Sequence, residues 1–390
     1  MCSYSTYQFT GPIIRISPYE LHVHDPAFCE QLYRQDGRWN KYPFTYDAFV
    51  AKGATICTAD HHAHRARRHP LSPFFSKAKI NAHQELLRRN IQKLADRLTN
   101  ETGNTVNFGA AISALTRDVA NEFILGKHHN QLDHEDFEAA MSNVFQESNF
   151  MWRITKHIPW FGPMMLSIPS TWLMKVVDEG TKSLLSYIVQ NENYTKDLMK
   201  AHASGALGEE DDGPRTIVHE ILDSNLPPQD KTFQRIFDEV MTISAAGFET
   251  SASVLRLVFY HVYSNPEILQ RLRTELASAE TFDIDTVDLR TLEHLPYLTA
   301  VIMEGLRLSP GIATRMARIA PDRELVYEKW HIPAGTPVGM TTLLMHTDPS
   351  IYPEPMTFNP DRWMDPDTRK GLEKMFAPFS RGTRMCIGMQ

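Results

Sequence analysis

The sequence predicts a mainly α fold with a small β portion, arranged as one large domain. Apolar residues recur at helical spacing from about residue 60 to about residue 310. Short strand-like runs with proline and glycine turns occur near both ends of the chain. A small sheet shared by the two ends favours one domain over several. No internal repeat or low-complexity tract divides the chain.

The elements follow in order. Apolar runs at 13–16 and 21–23 flank Ser17 and Pro18 and read as a small hairpin. Asp25 followed by Pro26 reads as a helix start, because proline fits the first helical position, where no N–H is needed. Leu87, Ile91, Leu94 and Leu98 step by four, three and four residues, one face of a helix. Ile112, Leu115, Val119 and Phe123 form a second such face, with Gly126 as its stop. Asp133 is expected to open an amphipathic segment carrying Phe137, Met141, Val144 and Phe145. Pro159, Pro163 and Pro169 mark a loop rich in Trp, Phe and Met, and 202–215 has linker composition. A long helix is expected from about 231 to 263, with Asn265 and Pro266 ending it and capping the next. A further helix spans 295–308 and stops at Pro310 and Gly311. Beyond it, 315–319, 325–327 and 336–340 read as short strands, with a turn at Pro333, Ala334 and Gly335. The last 40 residues read as mostly loop.

Composition narrows the function classes. A chain of 390 residues with 42% hydrophobic and 22% charged side chains folds and buries a deep core. The 47 acidic against 40 basic side chains argue against general nucleic-acid binding, which needs a basic surface. Cys2, Cys29, Cys57 and Cys386 are too few and too far apart for a disulfide framework or a CxxC site. No run of 18 apolar residues occurs, and the first residues lack the basic and apolar regions of a signal peptide. The expectation is a soluble, cytoplasmic protein.

The strongest chemical signal is Phe379-Ser380-Arg381-Gly382-Thr383-Arg384-Met385-Cys386-Ile387-Gly388. Glycines on both sides let a loop approach a flat ring and turn its N–H groups toward the sulfur. Such donors and nearby cations favour the thiolate, which can ligate iron. A lone cysteine is more often inert, but here the F-x-x-G-x-R-x-C-x-G spacing is complete. Three further signatures occur. Glu304 and Arg307 share a helix face at i and i+3, a spacing that elsewhere is usually a solvated pair. Ala246-Gly247-Phe248-Glu249-Thr250 places a glycine inside the long helix, at a cost of roughly 1 kcal/mol relative to Ala. His64 and Arg68, four residues apart, share one face of a basic segment whose default reading is a solvated helix face.

These residues together resemble the haem-thiolate monooxygenases, the cytochrome P450 family, over the chain from Gly11 onward. The segments 64–76, 114–123, 244–250, 295–310 and 315–321 look most like filamentous-fungal members of specialised metabolism, the group resembling trichodiene oxygenases. The resemblance implies the cytochrome P450 fold, with haem b held through Cys386 as the thiolate ligand of its iron. It implies propionate contacts from His64, Arg68 and Arg384, with Arg318 a weaker candidate. It implies a buried triad of Glu304, Arg307 and Arg362 that holds the cysteine loop. It gives Glu249 and Thr250 a role in proton delivery during oxygen activation, at a point where the helix widens. The implied partners are an NADPH-dependent flavoprotein reductase and a hydrophobic small-molecule substrate. A local basic patch of Arg65, Arg67, Lys77 and Arg381 would suit the reductase. Relatives carry an N-terminal membrane anchor at the endoplasmic reticulum, and a helix and β-hairpin after the cysteine. This chain is read as lacking them, so a truncated, non-catalytic remnant without stable haem is the alternative to the enzyme. A peroxide-rearranging haem enzyme is a third reading, which the Glu249 and Thr250 pair argues against.

Overall fold

The computed structural model describes residues 11–147, 149–205, 215–278, 287–309 and 311–390, without the side chains of 145–150. Residues 1–10, the 206–214 part of the linker-like stretch, Pro310 and the side chain of Phe145 lie outside the described residues.

The helices include α1 (His61–Arg68), α2 (Gln84–Asn100), α3 (Phe108–Leu125), α4 (Ala139–Glu147), α5 (Glu179–Ala203), α6 (Phe233–Ser264), α7 (Pro266–Ser278), α8 (Pro296–Leu308), α9 (Thr342–His346) and α10 (Pro366–Glu373). Their ends follow ordinary capping chemistry, in which a short polar side chain accepts an N–H that has no partner within the helix. The Asp60 carboxylate accepts the His62 and Ala63 N–H groups. Asn107 caps α3, and Gly126 closes it at φ 63°. Asn265 accepts the Glu267 and Ile268 N–H groups at the start of α7. Among the described residues no helix is long and apolar enough to cross a membrane.

Several expectations need correction. Asp133 does not open a helix. The Asp118 carboxylate accepts the Gln131 and Leu132 N–H groups, each at 2.9 Å, and holds them in a tight turn that Asp133 ends. Phe137 and Glu138 then take positive φ, so α4 starts only at Ala139. The proline-rich stretch is not all loop. Phe161–Ser167 is helical, with Pro163 in its first turn, where its missing N–H has no intrahelical partner to lose. A strand at Trp330–Ile332 and the helix α10 also escaped the sequence reading.

The chain divides into two compact units. One comprises the residues up to Tyr42 together with Ser253–Met389. It contains a five-stranded sheet in the order β1-β2-β7-β4-β3 and a separate hairpin of β5 and β6. The strands are β1 (Ile13–Ser17), β2 (Glu20–Val23), β3 (Asn40–Lys41), β4 (Arg318–Ile319), β5 (Leu325–Tyr327), β6 (Trp330–Ile332) and β7 (Pro337–Gly339). β2 pairs parallel with β7, Leu21 opposite Val338, and β3 pairs antiparallel with β4, Lys41 opposite Arg318. Both ends of the sequence therefore supply one sheet, as expected. Beneath it Val23, Leu32, Trp39, Val338 and Met345 form a buried cluster.

The other unit is Pro43–Ala252. Met141 of α4, Tyr187 of α5 and Phe248 of α6 form a buried cluster there, with Ala120 of α3 packed against it. That cluster fixes the rotation of α6 about its own axis. Phe248 and Ala252 are fully buried, whereas Ala246, Gly247 and Thr250 are left exposed.

Candidate active site

The cysteine loop is held at nearly every residue that precedes the thiol. Gly382 has φ 75°, and a Cβ there would stand 2.5 Å from the Tyr33 carbonyl oxygen and 2.6 Å from that of Arg34. Only glycine fits. The Arg381 guanidinium donates to the Glu373 carbonyl at 2.6 Å and to that of Phe376 at 3.1 Å. Arg384 is buried and donates to the Trp39 carbonyl at 3.1 Å. The Cys386 N–H donates to the Phe379 carbonyl at 2.9 Å, which closes the loop. The result is an exposed Cys386 side chain, whereas Cys29 is buried and Cys57 half-buried. A Cβ on Gly388 would meet nothing within 4 Å.

Behind the loop lies the triad. Glu304 is fully buried and accepts from Arg307 Nε at 2.9 Å and Nη2 at 2.8 Å. It also accepts from Arg362 Nε at 3.0 Å, Trp363 Nε1 at 2.8 Å and the Asn359 N–H at 3.0 Å. Burial alone would raise the Glu304 pKa, but the Arg307 hydrogen bonds and charge, the Asn359 N–H and Arg362 hold it below the ordinary carboxylate range. Arg307 also donates to the carbonyls of His346 at 2.6 Å and Pro355 at 2.7 Å. The i, i+3 pair is thus no surface pair. It ties α8 to the segments that lead into the cysteine loop.

Arg318 is buried on β4. It donates to the Met316 carbonyl at 3.0 Å and that of Ala317 at 3.3 Å, with its guanidinium 5.2 Å from the centre of the Tyr33 ring. The β3–β4 pairing brings it near Arg384, because Arg384 binds Trp39 and the next residue starts β3.

In the other unit, Glu249 and Thr250 lie midway along α6, and His64 and Arg68 lie on one face of α1 with His64 buried. The Thr250 hydroxyl donates to the Ala246 carbonyl at 2.7 Å. The helix stays α-helical through this point, so the widening expected from the resemblance is not seen. Gly247 is open: a Cβ there would meet only the Ala120 Cβ, at 3.5 Å, an ordinary contact.

The basic patch is corrected in part. Arg67 is not free for a partner. It donates to Asp230 Oδ1 at 2.7 and 2.9 Å and to Thr58 Oγ1 at 2.9 Å. Arg381 serves the loop. Arg65 and Lys77 are exposed. Sequence reasoning also missed His346, which is buried and donates from Nδ1 to the Arg307 carbonyl.

Haem fits this donor set. An exposed thiol on a fixed loop suits a thiolate ligand, and the buried cations on β4 and the loop of the same unit suit propionates.

The family model described as Cytochrome P450 matches residues 5–390. The chain is 34% identical to cytochrome P450 monooxygenase tpcC of Cochliobolus heterostrophus over 98% of its own length and 73% of the relative's. It is 35% identical to cytochrome P450 monooxygenase TRI4 of Fusarium sporotrichioides over 97% of this chain and 72% of that one. The fold matches a crystal structure of a cytochrome P450 (CYP102L1) with TM-score 0.75 at 19% identity, over 99% of this chain and 86% of that one. These relatives favour the enzyme over the haem-free remnant. By its sequence, its fold and the complete cysteine motif, the chain belongs to the cytochrome P450 family and is a haem-dependent monooxygenase.

Proposed function

We propose that Cys386 is the thiolate ligand of the haem iron, and that the enzyme oxidises a hydrophobic small molecule in fungal secondary metabolism. The observation that carries this is the Cys386 side chain, exposed at the end of a loop that Gly382, Arg381 and Arg384 fix in place. Arg384 and Arg318 would hold propionates, a role that the family resemblance also gives to His64 and Arg68. NADPH, acting through a flavoprotein reductase, supplies the electrons. Bound haem supplies an iron centre at which dioxygen is reduced and one of its oxygen atoms passes to the substrate.

The protein's own part is to hold and move protons. The Thr250 hydroxyl proton is directed inward to the Ala246 carbonyl, so the oxygen lone pairs are left to accept on the exposed side of α6. Rotation of the hydroxyl turns an acceptor into a donor without moving the backbone. Glu249, the next residue back, can replenish that proton.

The test is a carbon monoxide difference spectrum of the reduced protein. The red-shifted Soret band of thiolate ligation is expected in the parent and not in Cys386→Ser. A Cys386→Ser protein that keeps that band would remove Cys386 as the ligand. Thr250→Ala is expected to keep the band while more hydrogen peroxide is released per NADPH consumed. Coupling equal to the parent's would remove Thr250 from proton delivery.

A further inference from the structure

His346, at the end of α9, makes two hydrogen bonds that demand opposite things of its ring. Nδ1 lies 3.1 Å from the Arg307 carbonyl oxygen, which can only accept, so Nδ1 carries the proton. Nε2 lies 3.0 Å from the Ala377 backbone nitrogen, which can only donate, so Nε2 is bare. Both bonds are satisfied by one species alone, the neutral imidazole protonated on Nδ1. The ring is fully buried and stacks on Phe376 at 5.4 Å and 20°. Phe376 packs edge-on against Trp363 at 5.1 Å, and the Trp363 indole donates to Glu304. The circuit closes through Arg307, which Glu304 holds and which donates back to the His346 carbonyl. Ala377 is buried and stands two residues before Phe379, whose carbonyl accepts the Cys386 N–H.

We propose that His346 is a positioning residue for the cysteine ligand: its two ring nitrogens fasten the first residue of the 377–386 loop to the helix that carries Glu304 and Arg307. The ties at Arg381, Gly382 and Arg384 fix the middle of the loop, and His346 fixes its entry. A shift at Ala377 would pass through Phe379 to the Cys386 backbone. The charged groups facing the ring are Arg307, Glu304 and Arg381. Burial, the largest cause, and the two arginine charges lower the pKa of His346 to about 4, while the Arg307 carbonyl and Glu304 oppose the shift. The ring is therefore neutral at physiological pH, as the geometry requires.

The inference rests on the reading of Cys386 as ligand, so its test has one readout that needs haem and one that does not. His346→Phe keeps a ring over Phe376 and removes both hydrogen bonds. His346→Gln offers one N–H and one carbonyl oxygen in place of the two nitrogens. In the reduced, carbon monoxide-bound holoenzyme, His346→Phe is expected to lose the thiolate Soret band roughly tenfold faster than the parent, the scale of one to two ordinary hydrogen bonds. His346→Gln is expected to recover most of that lifetime. Hydrogen exchange, read by mass spectrometry on the full chain, is expected to rise in His346→Phe for peptides covering 377–386 and to stay unchanged for α2. A His346→Phe protein with the parent's band lifetime and the parent's exchange in 377–386 overturns the proposal. So does equal loss in His346→Gln and His346→Phe, because donor and acceptor would then not be what holds the loop. If the parent shows no thiolate band at all, the ligand reading fails, and the exchange data still decide the role of His346.

Discussion

At Gly382 a Cβ would stand 2.5 Å from a neighbouring carbonyl oxygen, whereas at Gly247 it would meet one methyl carbon at 3.5 Å. The first glycine sits in a loop tied by Arg381, Arg384 and His346, with a backbone angle only glycine adopts easily. The second sits in the middle of a 32-residue helix, where glycine costs roughly 1 kcal/mol against alanine. The fold demands one of them and gains nothing from the other. The cysteine loop is built by constraining backbone. The segment of α6 around Gly247 is built by keeping side chains small. A substitution should therefore act through stability and loop geometry in the first, and through chemistry alone in the second.

The largest effect is expected where the constrained loop is anchored. Glu304→Gln removes the charge that Arg307 and Arg362 share, and Arg307 is fully buried. Breaking a buried pair by neutralising one partner costs about 3–5 kcal/mol. Urea unfolding should show that loss in the midpoint, and a midpoint equal to the parent's would mean the triad does not hold the unit together. The folded pKa of Glu304 lies below its unfolded value of 4.5, so its contribution is present above that pH. It fades as pH falls through the folded value.

Gly382→Ala should come next. Forcing a non-glycine residue into the left-handed region costs about 1–3 kcal/mol, before any contact with Tyr33 and Arg34 is counted. Haem per protein chain, measured after purification, should drop sharply while far-UV circular dichroism stays near the parent's. Full haem content in a stable Gly382→Ala protein would show that the loop can reach its geometry without glycine.

The same division between held and open positions recurs on α1. Arg67 is bound to Asp230 and Thr58, and Arg65 is exposed. Arg67→Glu loses hydrogen bonds to a charged partner, each worth about 1.5–3 kcal/mol. It should lower the melting temperature and reduce reductase-driven and peroxide-driven turnover together. Arg65→Glu should leave the melting temperature alone and slow only the reductase-driven reaction. A parallel loss in both assays for Arg65→Glu would remove it from the docking surface.

Much of this was legible in the sequence. The hairpin at Ser17, the Gly126 stop and the Asn265 cap were readable because local chemistry decides them. So was the F-x-x-G-x-R-x-C-x-G run, because its spacing is specific. What escaped depended on distant partners. Asp133 looks like a helix start, but Asp118 takes the neighbouring N–H groups for a turn. Arg67 looks like part of a basic surface, but its partner Asp230 is 163 residues away in the chain. His346 carried no spacing signal, since its partners Arg307 and Ala377 lie 39 and 31 residues away.

Gly247→Ala is the smallest expected change and the one that separates the two regions most cleanly. Gly247 is exposed, its φ is not in the left-handed region, and the added methyl would stand at ordinary contact distance from Ala120. Alanine also gives the unfolded chain fewer conformations to lose. The variant should therefore be as stable as the parent, or more stable by up to about 1 kcal/mol. Its turnover should nevertheless fall, because the methyl fills the room beside Thr250 that the exposed face of α6 keeps. Opposite signs for stability and turnover are what a fold-driven glycine could not produce, since at Gly382 both should fall together. Thermal unfolding and substrate turnover, measured on the same Gly247→Ala preparation, decide it. A drop in melting temperature would place Gly247 with Gly382 among the positions the fold requires. Unchanged turnover would mean the space along α6 at this residue serves no part of the reaction.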